Sequence, residues 1–449
     1  MNKFFAFKVL LQVLCLICLL PSVPVLGQLP NNQLSLREAV DKAFSVDNNL
    51  MAAGSNLKSS KYNIKKAKAS YMPALTFAGS YYHMSNVSEI SVGMPGTGFN
   101  ETIKMGSDTP FNANLGLNYE LYTFGRRPAN VQLAKLETNR SELNYSFSKK
   151  ILFDKTARAY FTVVYAKGSM NLIQAEKDRF EQIYQLVDSR FKQDLISEFD
   201  LLQTQLRLEK YKLSLLEISN NLQTAKLNLA RLLGVPKSDL PELADDIGEN
   251  ILELPKFVVR ANLLANREDY LEASLAIKMG QAAKKISKSA YYPSITGFGA
   301  YDWRNGYQPD VENIEGNFSF GVKLNWLLFH GFARRAEISK QDYLIKSYGY
   351  MVEDLKTVIP NQINSLQLIV ENSKSRIEVG AQALQVAQKS MAIARMRLEI
   401  GDITMIDLLE IENNLSQAEL NLIKLNYGYV MAKLDYKKAC GYYPEIEQY

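Results

Sequence analysis

The sequence predicts a mainly α-helical chain that also carries four amphipathic β-strands, laid out as two copies of one plan. Three observations carry that prediction: an internal repeat, four segments with two-residue alternation, and paired heptad stripes on two late helices. Such a chain reads as a segment of a barrel wall, because neither its strands nor its helices can close a structure alone.

The repeat organises everything else. Tyr71-Met72-Pro73-Ala74-Leu75-Thr76 recurs as Tyr291-Tyr292-Pro293-Ser294-Ile295-Thr296, an offset of 220, and Gly79 and Tyr81 match Gly299 and Tyr301. Further along, Arg190, Asp200, Leu201, Leu202 and Gly234 match Arg397, Asp407, Leu408, Leu409 and Gly441 at an offset of 207. The first copy therefore holds a 13-residue insertion, placed in a long loop over Met84 to Pro110, which is rich in Gly, Ser, Asn and Thr. Each copy reads helix, strand, loop, strand, long helix, helix. The division is repeat 1 over 28–234, a Pro-rich acidic connection over 235–255, repeat 2 over 256–441 and a tail over 442–449.

Strands are predicted over about 74–83, 111–121, 294–303 and 317–327. Phe111, Ala113, Leu115, Leu117, Tyr119 and Leu121 alternate with Asn112, Asn114, Gly116, Asn118 and Glu120. Phe318, Phe320, Val322, Leu324 and Trp326 alternate with Ser319, Gly321, Lys323 and Asn325. Segments of roughly 9–11 residues with one apolar face and aromatic ends are what outer-membrane strands require. A soluble antiparallel sheet with one solvated face is the other reading of the strands alone. Four strands cannot close a barrel in lipid, so if they span, several chains must share one barrel.

The rest is helical in long runs, from about Arg126 to Phe191 and from about Ala333 to Leu398, with no Gly-Pro turn and few single interruptions, such as Gly168, Gly349, Gly380 and Pro360. At 1.5 Å per residue such runs reach about 100 Å. In the following helices Leu201, Leu208, Leu215, Leu222 and Leu229 recur every seven residues, as do Leu408, Leu415, Leu422, Tyr429 and Tyr436. A second stripe stands two positions earlier: Phe199, Leu206, Leu213 and Leu227, matched by Ile406, Leu420, Tyr427 and Leu434. Two positions are about 200° apart on a helix, so each helix expects a neighbour on both flanks. An ordinary helical bundle is the plainer alternative.

Composition narrows the function classes. With 449 residues, 47% hydrophobic and 22% charged, the chain belongs with ordered proteins, and its net charge of +5 forms no basic patch for nucleic acid. Residues 1–27 read as a secretory leader: Lys3 and Lys8, the apolar run Val9 to Leu20, Pro21 and Pro24, then cleavage after Val25-Leu26-Gly27. That run of about twelve residues falls short of the roughly 20 a spanning helix needs, an uncleaved anchor being the alternative. Cys15 and Cys18 follow Leu14 and Ile17 rather than small residues, so no lipidation is expected, and Cys440 is left as the one cysteine of the mature chain. No phosphate loop, metal spacing or nucleophile motif is present, and His83 and His330 fall in loop and turn positions. No enzyme activity, catalytic residue, metal or cofactor is expected.

These residues resemble the TolC-like outer-membrane efflux proteins across essentially the whole mature chain. The resemblance rests on Leu34-Ser35-Leu36-Arg37-Glu38-Ala39-Val40, on the duplicated Tyr-x-Pro strand start, and on the strand exits Leu121-Tyr122-Thr123-Phe124-Gly125-Arg126-Arg127 and Leu328-Phe329-His330-Gly331-Phe332-Ala333-Arg334. Its most specific part is Arg397 to Leu409 with its twin at Arg190 to Leu202. It implies a homotrimer in which each chain gives four strands to one β-barrel, continued by an α-barrel across the periplasm. It also implies outer-membrane lipid around the barrel, a periplasmic adaptor protein at the tip and an inner-membrane RND or ABC pump beyond. The implied function is a passive exit duct of a tripartite efflux or type I secretion system, gated at the helical tip. A secreted or anchored structural or adhesive helical protein is the competing reading.

The tip turns carry the candidate site residues. Thr404 and Ser197 stand where they would cap the next helix, with Asp407 and Asp200 three positions on. A plain helix start is one reading of those residues. The resemblance implies more: Asp407 and Glu410 match inward acidic residues that ring the entrance, and Asp200 matches a member of the gating network. Asp194, Leu195, Ser197, Gly401, Asp402 and Thr404 match the adaptor-contact turns. The sequence departs from the best-known members at Ile403, where they have arginine, at Leu398, where they have tyrosine, and at Asp194, where they have glycine.

Overall fold

The computed structural model describes residues 33–93, 96, 100–244, 264–307, 310–441 and 443. The expected leader with Cys15 and Cys18, the connection beyond residue 244 and the tail from residue 444 lie outside the described residues.

Helices α1 (Leu36–Val46) and α2 (Asn48–Ala69) replace the single opening helix expected for repeat 1. The break falls at Asp47, whose extended backbone ends α1 while its carboxylate accepts from the Leu50 N–H to cap α2. A Ser35–Glu38 capping box starts α1. Strand β1 (Ala74–Tyr81) follows, and then the segment expected as loop folds into a two-stranded hairpin, β2 (Glu89–Gly93) with β3 (Asn100–Lys104). Its Gly and Ser content hid a short alternation in which Ile90 faces Ile103, Ser91 faces Thr102 and Glu89 faces Lys104. Strand β4 (Phe111–Tyr122) leads into α3 (Arg126–Phe191) and α4 (Glu198–Leu233). The second repeat supplies α5 (Glu268–Ser289), β5 (Ser294–Arg304), β6 (Glu315–Asn325), α6 (Ala333–Glu399) and α7 (Met405–Cys440). Strand β6 begins two residues earlier than the alternation suggests, where Glu315 pairs with Arg304, and ends two residues earlier at Asn325, after which the Trp326 indole donates to the Tyr291 carbonyl, 3.0 Å away.

The sheet runs β1–β4–β5–β6, antiparallel throughout. Its register puts Phe77 opposite Leu115, Leu115 opposite Tyr301 and Tyr301 opposite Phe318, so one face carries only apolar and aromatic residues and glycine. The other face carries Asn112, Asn114, Asp302, Lys323 and Glu315, and there Asn114 donates to Asp302 at 2.6 Å. Phe77, Phe320 and Val322 are exposed on the apolar face, which water would penalise and lipid would not. Among the described residues no helix is long and apolar enough to cross a membrane.

Below the sheet, α3 and α6 run the full length and shorter helices fill the spaces beside them. The upper wall reads α2–α3–α5–α6 and the lower wall α4–α3–α7–α6, each packed on the next. The seams keep a seven-residue period: Leu152, Ala166, Ile173, Phe180 and Val187 are buried along α3, and Ile363, Val370, Ile377 and Met391 along α6. Each large side chain so covered contributes about 1.5–3 kcal/mol. Pro128 stands in the first turn of α3, where its missing N–H breaks no bond, while Pro360 is carried inside α6.

At the sheet-to-helix junction the two repeats solve one problem with reversed residues. Two consecutive positive-φ positions aim the chain from strand into helix: Phe124 (+47°) then Gly125 (+84°) before α3, Gly331 (+52°) then Phe332 (+63°) before α6. A guanidinium one turn on locks each junction. Arg127 donates to the carbonyls of Ser70 and Leu121 and lies 4.8 Å from the Tyr71 ring centre; Arg334 donates to those of Ala290, Leu327 and Leu328 and lies 4.8 Å from Tyr291. The carbonyls at the ends of α2 and α5 and at the strand exits, otherwise without donors, are satisfied together.

Candidate functional site

At the end of each helical hairpin, farthest from the sheet, the chain reverses through a tight turn. In repeat 1 Asp194 takes φ +56°, and the Leu195 N–H returns to the Arg190 carbonyl at 3.0 Å. In repeat 2 Gly401 takes φ +78°, and the Asp402 N–H returns to the Arg397 carbonyl at 2.9 Å. These are one helix-ending geometry, which glycine adopts freely and aspartate tolerates at a steric cost of roughly 1–2 kcal/mol. The Arg397 guanidinium also stands 3.5 Å from the Asp402 carboxylate across the second turn.

Each following helix is capped as its sequence indicates. Thr404 and Asp407 form a full capping box: the Asp407 N–H donates to the Thr404 hydroxyl at 3.2 Å, while the Thr404 N–H and hydroxyl donate to Asp407 Oδ2 at 2.9 and 2.6 Å. Those hydrogen bonds, side chain first and backbone second, hold the Asp407 carboxyl below the ordinary carboxylate range. In repeat 1 the Asp200 N–H donates to Ser197 Oγ at 3.2 Å and that hydroxyl donates to Asp200 Oδ2 at 2.7 Å. Asp407 is therefore anchored yet exposed, Glu410 is exposed one turn later, and Asp200 is half-buried with its carboxylate engaged inside its own turn. Leu195 stands exposed beside it. The structure brings Asp194, Leu195, Ser197 and Asp200 into one turn and Gly401, Asp402, Thr404, Asp407 and Glu410 into the other.

Above the tips lies a group the sequence reading passed over. Glu176 and Arg179 on α3 meet Glu412 and Glu419 on α7, with Arg395 of α6 and Tyr211 of α4 alongside. Arg179 bridges the two hairpins, donating to Glu412 at 2.5 Å while standing 3.4 Å from Glu176. Both glutamates are fully buried. Burial, opposed by Arg179 and reinforced by Glu412 and Glu419, pushes the Glu176 carboxyl up to about 7. The signal was present in the sequence, because Met405, Glu412 and Glu419 form a seven-residue stripe of their own beside the leucine seams.

A lipid-compatible sheet, a helical wall about 100 Å long and turned hairpin tips define a segment of a conduit leading away from a membrane. The chain belongs to the outer membrane efflux protein family, whose pattern matches residues 39–235 and 259–441. It is 22% identical over 347 residues to the outer membrane protein TolC of Vibrio cholerae, covering 74% of this chain and 76% of that protein. It is 21% identical over 346 residues to the pyoverdine export outer membrane protein OpmQ of Pseudomonas aeruginosa, covering 74% and 70%. In fold it is similar to the Campylobacter jejuni CmeC outer membrane channel, with a TM-score of 0.77 at 18% identity over 90% of this chain and 85% of that one. The protein is thus an outer-membrane channel of the tripartite efflux or type I secretion class, and its family is one of transport proteins.

Proposed function

We propose that three copies of the chain close into one passive duct, sealed at the helical tips until a periplasmic adaptor docks there and links it to an inner-membrane RND or ABC pump. One observation carries the reading: every layer of the chain is left open on the same two flanks. In the sheet β1 and β6 are unpaired edges. In the lower wall the outer helix α4 exposes Phe199, Leu206, Leu213 and Leu227, and the opposite outer helix α6 exposes Val379, Val386, Ile393 and Ile400, both stripes at seven-residue spacing. An open sheet edge is untenable in lipid and an exposed heptad seam is unfavourable in water, and one rotation that repeats the chain removes both. With four strands per copy, three copies give twelve strands, within the range of lipid-spanning barrels.

In such a ring Asp407 and Glu410 bring six carboxylates to the tip, where a narrow low-dielectric mouth focuses their potential and favours cations. Asp200 joins the bonds that hold neighbouring coils closed, and the turns containing Asp194, Leu195, Ser197, Gly401, Asp402 and Thr404 present the adaptor contact. Ile403 removes a charged group from that network, so this tip relies on other bonds. The duct itself is passive, and the pump supplies the energy. Reversal potentials of the purified protein in planar bilayers test the ring: Asp407→Ala with Glu410→Ala should weaken cation preference, and unchanged selectivity would place the ring elsewhere.

A further inference from the structure

Two polar clamps cross the α3–α7 seam, the line along which the hairpin α3–α4 meets the hairpin α6–α7. The upper clamp is balanced: Arg158 donates to Asp154 at 3.0 Å and to Asp435 at 2.5 Å, and Lys438 stands 3.7 Å from Asp154, two acids against two bases. The lower clamp is not. Glu176, Glu412 and Glu419 face two guanidinium groups, Arg179 at 2.5 Å from Glu412 and Arg395 at 3.8 Å from it. Arg207 on α4 acts on Tyr211 and forms no ion pair with these carboxylates among the described residues; Tyr211 packs its ring on Phe180 and faces Ser416. Both Glu176 oxygens and one Glu412 oxygen are shielded from solvent without a well-formed hydrogen bond. With all three carboxylates ionised, the seam holds one uncompensated negative charge at a position it cannot hydrate without opening.

We propose that this cluster is a proton-controlled latch: a proton on Glu176 holds the two hairpins together above the tip, and its loss loosens them. The proposal rests on the reading of the tip as the gate. Its sign follows from linkage. A hydrated Glu176, as in a loosened seam, has the ordinary value of 4.5, and the packed seam raises it to about 7. The packed seam therefore binds the proton more tightly and is favoured fully below 4.5; the advantage declines through the interval and is gone above about 7. Each pH unit inside it shifts the ratio of packed to loosened seams by up to about tenfold per chain.

The test is tip opening read as conductance of the purified channel in planar bilayers between pH 5 and 8. The wild-type protein is expected to conduct more as pH rises, by at least about threefold in open fraction, the tenfold-per-unit limit being reduced by residual hydration. Glu176→Gln should stay in the low-conductance state with a flattened slope. Glu419→Gln, which removes one repelling carboxylate, should let the seam stay packed with Glu176 ionised and so reduce the rise in conductance at high pH, and that second variant decides the matter should Glu176→Gln fail to fold. A wild-type slope that is absent or reversed, or one indifferent to both substitutions, overturns the latch alone. A protein that carries no current at any pH overturns the latch, and one that still carries none with a periplasmic adaptor added overturns the duct reading as well.

Discussion

Placing aspartate at both Leu206 and Leu213 tests whether the chain is a wall segment. The two side chains lie on the outer flank of α4, 51% and 59% exposed in the single chain, and belong to none of its buried hydrophobic clusters. Covering the remaining half of each against a neighbouring copy is worth about 1 kcal/mol per residue. A buried, unpartnered carboxylate in the same place costs several kcal/mol more. The pair therefore removes on the order of 6–8 kcal/mol from each interface, and a closed ring of three would lose it three times. The assay is size-exclusion chromatography with light scattering in detergent, with far-UV circular dichroism on the same samples. The expected result is a single chain of unchanged helix content, and Val379→Asp with Val386→Asp should give the same result from the opposite flank. Leu208→Asp is the contrast, since Leu208 is 4% exposed against α3 and its loss should melt the hairpin itself. A particle of unaltered trimer size after the Leu206 and Leu213 substitutions would refute the reasoning.

Further outcomes follow from local geometry. Thr404→Ala removes the capping box and should cost about 1 kcal/mol, seen as faster amide exchange over Met405 to Leu408. The box depends on an ionised Asp407 held below its ordinary value of 3.8, so its contribution is complete above that value and is lost only as pH falls through the depressed one; exchange protection there should be constant from pH 7 to 5. Gly401→Ala at φ +78° should destabilise the second turn by about 1 kcal/mol, whereas Asp194→Gly at φ +56° should tighten the first by up to a similar amount, both read as shifts in local exchange. Arg127→Ala leaves the Ser70 and Leu121 carbonyls without their donor and should lower the thermal midpoint measurably; Arg334→Ala should do likewise from the other repeat.

Much of the fold was legible because its forces act at short sequence range. Two-residue alternation from Phe111 to Leu121 became a strand with all its apolar residues on one face, and the absence of turn signals between Arg126 and Phe191 became an unbroken helix. What was not legible depends on competition between weak local signals. The hairpin β2–β3 sits in a segment whose glycines and serines outweigh Ile90, Val92 and Ile103, and cross-strand pairing decided against them. The break at Asp47 is a single capping residue inside an otherwise continuous helical pattern. At the tips, capping by Thr404 and Ser197 followed from residue type and spacing. The Glu176 cluster did not, because only the packing of α3 against α7 shows that a charged residue on a stripe is inside rather than out.

The two late helices show how a duplicated sequence becomes asymmetric without losing its pattern. Helix α7 lies between α3 and α6, so its leading seam is buried at Leu408, Leu415 and Tyr429 while its second stripe ends in a fully covered Leu434 and a half-buried Tyr427. Helix α4 carries the same two stripes but packs chiefly on α3, touching α1 and α7 only slightly; Leu208, Leu222 and Leu229 are buried, and Phe199, Leu206, Leu213 and Leu227 are not. A pattern repeated from one ancestral unit thus meets a partner inside the chain in one copy and needs a partner outside it in the other. In the proposed ring the exposed stripe of α6 supplies that partner at the same seven-residue period, from Val379 through Val386 to Ile393. Two identical periods on opposite flanks can interlock only between different copies of the chain, since within one copy α3 and α7 stand between them. The same arrangement leaves the α3–α7 line as the boundary between hairpins inside each chain, and that is where the unbalanced carboxylates lie.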